Sequence, residues 1–178
     1  MEMKKLAQGL VIAGALVAAG NAFAVRQGTL GGTSDGDIEI DVTVGNQIQI
    51  TALQDIAGTH IPGANFTGVS TACVYTNNPT GNYDVTMTSS NPDVANNFRL
   101  NDAGTFVTYN VTYDDGSGGP VAMTSGLANT TFNNADTAST SCGGLPQSQI
   151  DILVPAANLD AVGAGTYSDT VTILVSPR

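Results

Sequence analysis

Few residues in this 178-residue chain are of types that carry chemistry. His60 is its single histidine, set in Gly58-Thr59-His60-Ile61-Pro62. Catalysis of the Ser-His-Asp kind needs a histidine held by a carboxylate and facing a serine, and His60 reads instead as a surface loop residue. Paired carboxylates could hydrolyse glycosides, but the acidic residues fall mainly in turn-forming segments and on the polar faces of alternating stretches. No phosphate-binding loop occurs. The run Asp114-Asp115-Gly116-Ser117-Gly118-Gly119 offers oxygens that could take calcium, yet it lacks the Asp-x-Asp-x-Asp-Gly spacing and closing Glu of the common calcium loop. A hairpin turn is the favoured reading there. The residues thus point to no catalytic site, no metal site and no cofactor.

Cys73 and Cys142 are the only cysteines. Their fate depends on the compartment, which the first residues indicate. Lys4 and Lys5 form a short basic region, residues 10–19 are apolar, and Ala22-Phe23-Ala24 closes the segment, the pattern of a secretory signal peptide over residues 1–24. The apolar run is shorter than the roughly 20 residues needed to span a bilayer, so no membrane insertion is expected. In an oxidising compartment Cys73 and Cys142 would form a disulfide. Closing a loop of about 70 residues corresponds to roughly 4 kcal/mol in the chain-entropy account.

The formal net charge is −10. Once residues 1–24 are removed, the remaining Lys and Arg residues are Arg26, Arg99 and Arg178. Such a surface repels nucleic acid and anionic membranes and suits a basic escort protein during export.

These features must be carried by strands. Thr, Val, Asn, Asp and Gly dominate, and long helical periodicity is scarce. Residues 37–44 alternate strictly: Ile38, Ile40, Val42 and Val44 share one face, while Asp37, Glu39, Asp41 and Thr43 share the other. The polar face reads as solvated. Gly45-Asn46 interrupts, and residues 47–53 resume as a second strand. Further strands are expected at 72–76, 83–88, 98–100, 106–113, 121–123, 149–154 and 167–175, with turn formers at 77–82 and a hairpin at 101–104 in which Gly104 takes positive φ. The polar stretch 125–144 offers few anchors. Tyr75, Tyr83, Tyr109, Tyr113 and Tyr167 could form a sugar-stacking surface, but at strand positions they read as packing. Short strands joined by polar turns imply an all-β sandwich.

Within this pattern, residues 98–115, F-R-L-N-D-A-G-T-F-V-T-Y-N-V-T-Y-D-D, resemble the hairpin of spore coat protein U-like pilin domains. Residues 165–175, G-T-Y-S-D-T-V-T-I-L-V, are similar to that family's G-x-Y-x-D-x-V-x-V-x-V ending, and I-E-I-D-V-T-V is similar to the mature start of colonisation-factor-type fimbrial major subunits. Relatives of the coat protein U type often place a cysteine just behind the first strand. Residues 45–55 have none, so the expected pairing rests on Cys73 and Cys142 alone.

The resemblance implies a subunit of an archaic or alternative chaperone–usher pilus. Its fold would be an incomplete immunoglobulin-like β-sandwich at residues 47–178, preceded by a flexible extension at 25–46 whose strand 37–44 completes a neighbouring copy. Ile38, Ile40, Val42 and Val44 would fill the neighbour's groove, and Tyr167, Val171, Ile173 and Val175 of the final strand would line it and face the chaperone. The implied partners are other copies of the chain, a periplasmic chaperone and an outer-membrane usher. The implied location is a cell-surface fimbria serving adhesion or biofilm formation. The rival reading is a monomeric secreted carbohydrate-binding or coat-matrix domain with residues 37–44 folded into its own sandwich.

Overall fold

The computed structural model describes residues 25–178; the expected signal peptide lies outside the described residues. The described residues divide into two units, the first ending at Val44 and the second Gly45–Arg178. In the first, Arg26 and Asp37 form an isolated antiparallel bridge. Arg26 donates to Asp37 Oδ2 and Asp35 Oδ2, each at 2.6 Å.

The second unit is an all-β, immunoglobulin-like sandwich of two antiparallel sheets. One sheet has the order β1 (Ile48–Thr51), β2 (Phe66–Thr76), β8 (Ser148–Val154), β5 (Thr105–Asp114), β4 (Phe98–Asp102), with β6 (Val121–Ala122) also pairing with β5. The other has the order β7 (Ala128–Phe132), β3 (Tyr83–Ser89), β9 (Val171–Pro177). A short helix, α1 (Ala156–Asp160), follows β8.

Side-chain alternation decides which face of each strand is buried. On β5, Val107, Tyr109, Val111 and Tyr113 enter the core, and on β3, Tyr83, Val85 and Met87 do so. Tyr83 and Tyr113 meet across the sandwich, their hydroxyls 2.9 Å apart, and Phe132 packs edge-on against Tyr113 with ring centroids 4.7 Å apart. Burial pushes both tyrosine pKa values upward. Tyr83, Tyr109 and Tyr113 therefore serve as core residues, as their strand positions led one to expect. The β4–β5 hairpin turns at Ala103 and Gly104, both at positive φ (46° and 93°), the arrangement that matches the twist of a tight hairpin.

The disulfide forms between Cys73 on β2 and Cys142 in a 3-10 turn at Cys142–Gly144, with Cα atoms 5.8 Å apart. It anchors the polar stretch that lacked sequence signals.

Several boundaries differ from expectation. β2 begins at Phe66 rather than residue 72 because residues 66–72 pair with β8 from Phe66–Val154 to Ala72–Ser148, with Gly68 leaving room for Ile56: a Cβ there would lie 2.2 Å from its Cγ2. β7 lies within the polar stretch 125–144, whose sequence offered few anchors, and is held by pairing with β3. The final strand begins at Val171, since residues 161–170 form a strap in which Ser168 bridges to Asn101 of β4.

Candidate functional site

The described site is an edge where the sandwich is not fully closed. β9 pairs with β3 along its whole length in the register Val85–Val175, Met87–Ile173 and Ser89–Val171. These pairs point to the same core, yet Val85 and Met87 are fully buried while Val171, Ile173 and Val175 remain half-buried. β9 is an edge strand of its sheet, so its second row of backbone N–H and C=O groups has no strand partner among the described residues. An unpaired edge of this kind is a template for another strand.

The facing wall comes from β1, which lies against β9 and is the edge of the opposite sheet. Ile48 and Ile50 point inward beside the fully buried Thr76 and Val74 of β2, and they too are only half-buried. The two edges thus frame an apolar seam formed by Ile48, Ile50, Val171, Ile173 and Val175.

Tyr167, expected beside Val171, lies in the strap before β9; its ring packs on the core and its hydroxyl donates to the Gly163 carbonyl at 3.0 Å. Two residues on, Asp169 accepts from Ser89 Oγ and Tyr109 Oη, both at 2.6 Å, and from Ser90 Oγ at 2.7 Å. These bonds fasten the start of β9 to β3 and to β5 of the other sheet. Burial pushes the Asp169 pKa up, but the hydrogen bonds outweigh it and the net shift is downward. Tyr109 is shifted upward by burial and by its bond to Asp169.

Ile38, Ile40, Val42 and Val44 are exposed at 76, 77, 80 and 75%. The expected strand at 37–44 is not formed: beyond the bridge at Asp37, residues 38–44 have no strand assignment and no ladder pairing. Sequence reading placed Ile48 and Ile50 on a strand without seeing that they face β9. Their alternation was the available signal.

The remaining polar residues hold loops. His60 Nε2 lies 2.7 Å from Asp160 Oδ1, which ties a loop to the end of α1 and lowers the Asp160 pKa. In the acidic turn, Asp114 accepts from the Gly116 amide, while Asp115 accepts from Ser117 and from the Asn133 amide, so these carboxylates are engaged in turn bonds. Among the described residues no group of three or more His, Cys, Asp or Glu is arranged to hold a metal ion, and no helix is long and apolar enough to cross a membrane.

No protein-family profile matches the sequence, and no curated protein matches it. Among solved structures, the fold is similar to a chain of the chaperone–tip adhesin complex of CFA/I fimbriae biogenesis, with 21% identity and a TM-score of 0.50 over 74% of this chain and 41% of that one. A second similarity, with 20% identity and a TM-score of 0.44, is to the chaperone–tip subunit pre-assembly complex of the archaic chaperone–usher Csu pili of Acinetobacter baumannii, over 75% of this chain and 40% of that one. The chain therefore spans about two-fifths of the length of each matched chain.

Proposed function

We propose that this chain is a structural pilus subunit that polymerises by placing residues 37–44 in the β1–β9 seam of a second copy. The observation carrying this reading is a complementarity within one sequence. A segment with four exposed aliphatic side chains in strict alternation coexists with a sandwich whose two neighbouring edges leave an apolar row half-covered. An added strand would pair with the free edge of β9 while its alternate side chains fill the seam, the logic of strand addition. Burying four Ile and Val side chains contributes roughly 6–12 kcal/mol before ordering costs.

An unoccupied seam of this type favours aggregation, so a chaperone covers it in transit and an outer-membrane usher exchanges the chaperone for the incoming strand. The fold likeness to a chain of a fimbrial chaperone–adhesin complex supports this assignment. The signal-peptide pattern fits export to the periplasm and then to the cell surface, where the fibre serves adhesion or biofilm formation.

A peptide of residues 37–44 added to the Gly45–Arg178 unit tests the reading. It should bind and raise the melting temperature, whereas a peptide with Ile40→Asp and Val42→Asp should not. Equal behaviour of the two peptides would overturn strand donation.

A further inference from the structure

The same seam raises a problem of self-closure, because only Gly45, Asn46 and Gln47 separate Val44 from β1. If the chain folded back on β1, its own strand would occupy its own seam and polymerisation would stop. Parity excludes the shortest route. A two-residue turn at Gly45-Asn46 sets Thr43 opposite Ile48 and Asp41 opposite Ile50, which turns the polar face to the core, since a one-residue change of register exchanges the faces. A three-residue turn through Gly45, Asn46 and Gln47 has the dangerous parity, with Val44 opposite Ile48 and Val42 opposite Ile50. Three-residue hairpin loops are a common type.

Those three residues are where Asn77 acts. Its Oδ1 accepts from the Gln47 amide at 2.7 Å, its Nδ2 donates to the Gly45 carbonyl at 2.9 Å, and its own amide donates to the Gln47 carbonyl at 3.2 Å. The Thr76 hydroxyl donates to the same Gln47 carbonyl at 2.9 Å. Together these bonds continue the β1–β2 ladder beyond the Ile48–Thr76 pair and consume the backbone groups that a turn would rearrange. Gly45 is not among the described glycines at positive φ, the conformation Gly104 takes in the β4–β5 hairpin turn.

We propose that Asn77 is a positioning residue that holds residues 45–47 in line with β2, forbids the three-residue fold-back, and so keeps residues 37–44 available to another copy. The proposal rests on the strand-donation reading and adds to it a determinant of intermolecular over intramolecular pairing.

The test compares the chain from Val25 to Arg178 with its Asn77→Ala, Asn77→Asp and Asn77→Ala/Val42→Asp forms. Oligomer yield is read by size-exclusion chromatography, and protection of residues 38–44 in the monomer fraction is read by deuterium exchange and mass spectrometry. Asn77→Ala should raise the monomer-to-oligomer ratio on the order of tenfold, as expected for losing more than one net hydrogen bond, and its monomers should gain protection at residues 38–44. Adding Val42→Asp should remove that protection, which a merely structural role for Asn77 would not predict. Asn77→Asp keeps the acceptor for Gln47 but not the donor to Gly45, so it should fall between and serves if the alanine form does not fold. Monomers of the Asn77 variants with residues 38–44 as unprotected as in the wild type would overturn the proposal. A wild-type chain that never oligomerises would instead overturn strand donation, with the gain of protection in the variants still deciding the role of Asn77.

Discussion

Met87 and Ile173 stand directly opposite each other on β3 and β9 and face the same core, yet Met87 is 0% exposed while Ile173 is half-buried. The difference arises from position: Met87 lies on the middle strand, with Ile173 on one side and the Gly126 amide donating to its carbonyl at 2.8 Å on the other, whereas Ile173 lies on an edge strand whose only strand partner among the described residues is β3. In the proposed assembly an added strand would supply the missing neighbour. Ile173→Asp places a charge in the seam and should abolish oligomers in size-exclusion chromatography, while Leu174→Asp, on the exposed face of the same strand, should leave them largely intact. Equal oligomer yields from the two variants would show that the seam is not the contact surface.

The donor segment gives the reciprocal test. Ile40→Asp with Val42→Asp removes two of the four aliphatic anchors, a loss of roughly 3–6 kcal/mol of burial, and should prevent entry into fibres. Under the proposed assignment the variant should still co-purify with a chaperone, because its own seam is unchanged. Normal fibre yield by electron microscopy would contradict the assignment of residues 37–44.

Asp169 links the two sheets through Tyr109 and Ser89. Its pKa is depressed in the folded chain, so its contribution to stability is complete above the ordinary Asp range near pH 4 and is lost as pH falls through the lower folded-state value. Asp169→Asn should flatten the acid limb of a melting-temperature profile, and Tyr109→Phe should cost about 1–3 kcal/mol by leaving a charged acceptor less satisfied. An acid limb unchanged in Asp169→Asn would remove this carboxylate from the account.

The Cys73–Cys142 disulfide closes a loop with a sequence separation of 69. Cys73→Ser with Cys142→Ser should lower stability by about 4 kcal/mol, read as a shift of the chemical denaturation midpoint. Unchanged chemical denaturation midpoints would show that the loop is held by its other contacts.

Much of this architecture is legible in the residues. Strict alternation marks β5, the Ala103-Gly104 turn marks the β4–β5 hairpin, and the two cysteines mark the disulfide. What escapes sequence reading depends on tertiary partners. β7 is polar and becomes a strand through β3, with Phe132 seated against Tyr83 and Tyr113. Tyr167 and Asp169 continue the alternation of β9, but the hydrogen bonds of Asp169 and the Ser168–Asn101 bridge place them in a strap. Asn77 reads as a turn former, and its side-chain grip on Gly45 and Gln47 depends on a contact about 30 residues distant in sequence.

The central claim is that residues 37–44 of one copy complete the seam of another. Its most direct test is size-exclusion chromatography with negative-stain microscopy of Val25–Arg178 beside the Gly45–Arg178 unit. The account predicts heat-resistant oligomers or fibres from the longer chain and none from the shorter. Well-behaved monomers from both, with the same melting temperature, would contradict it.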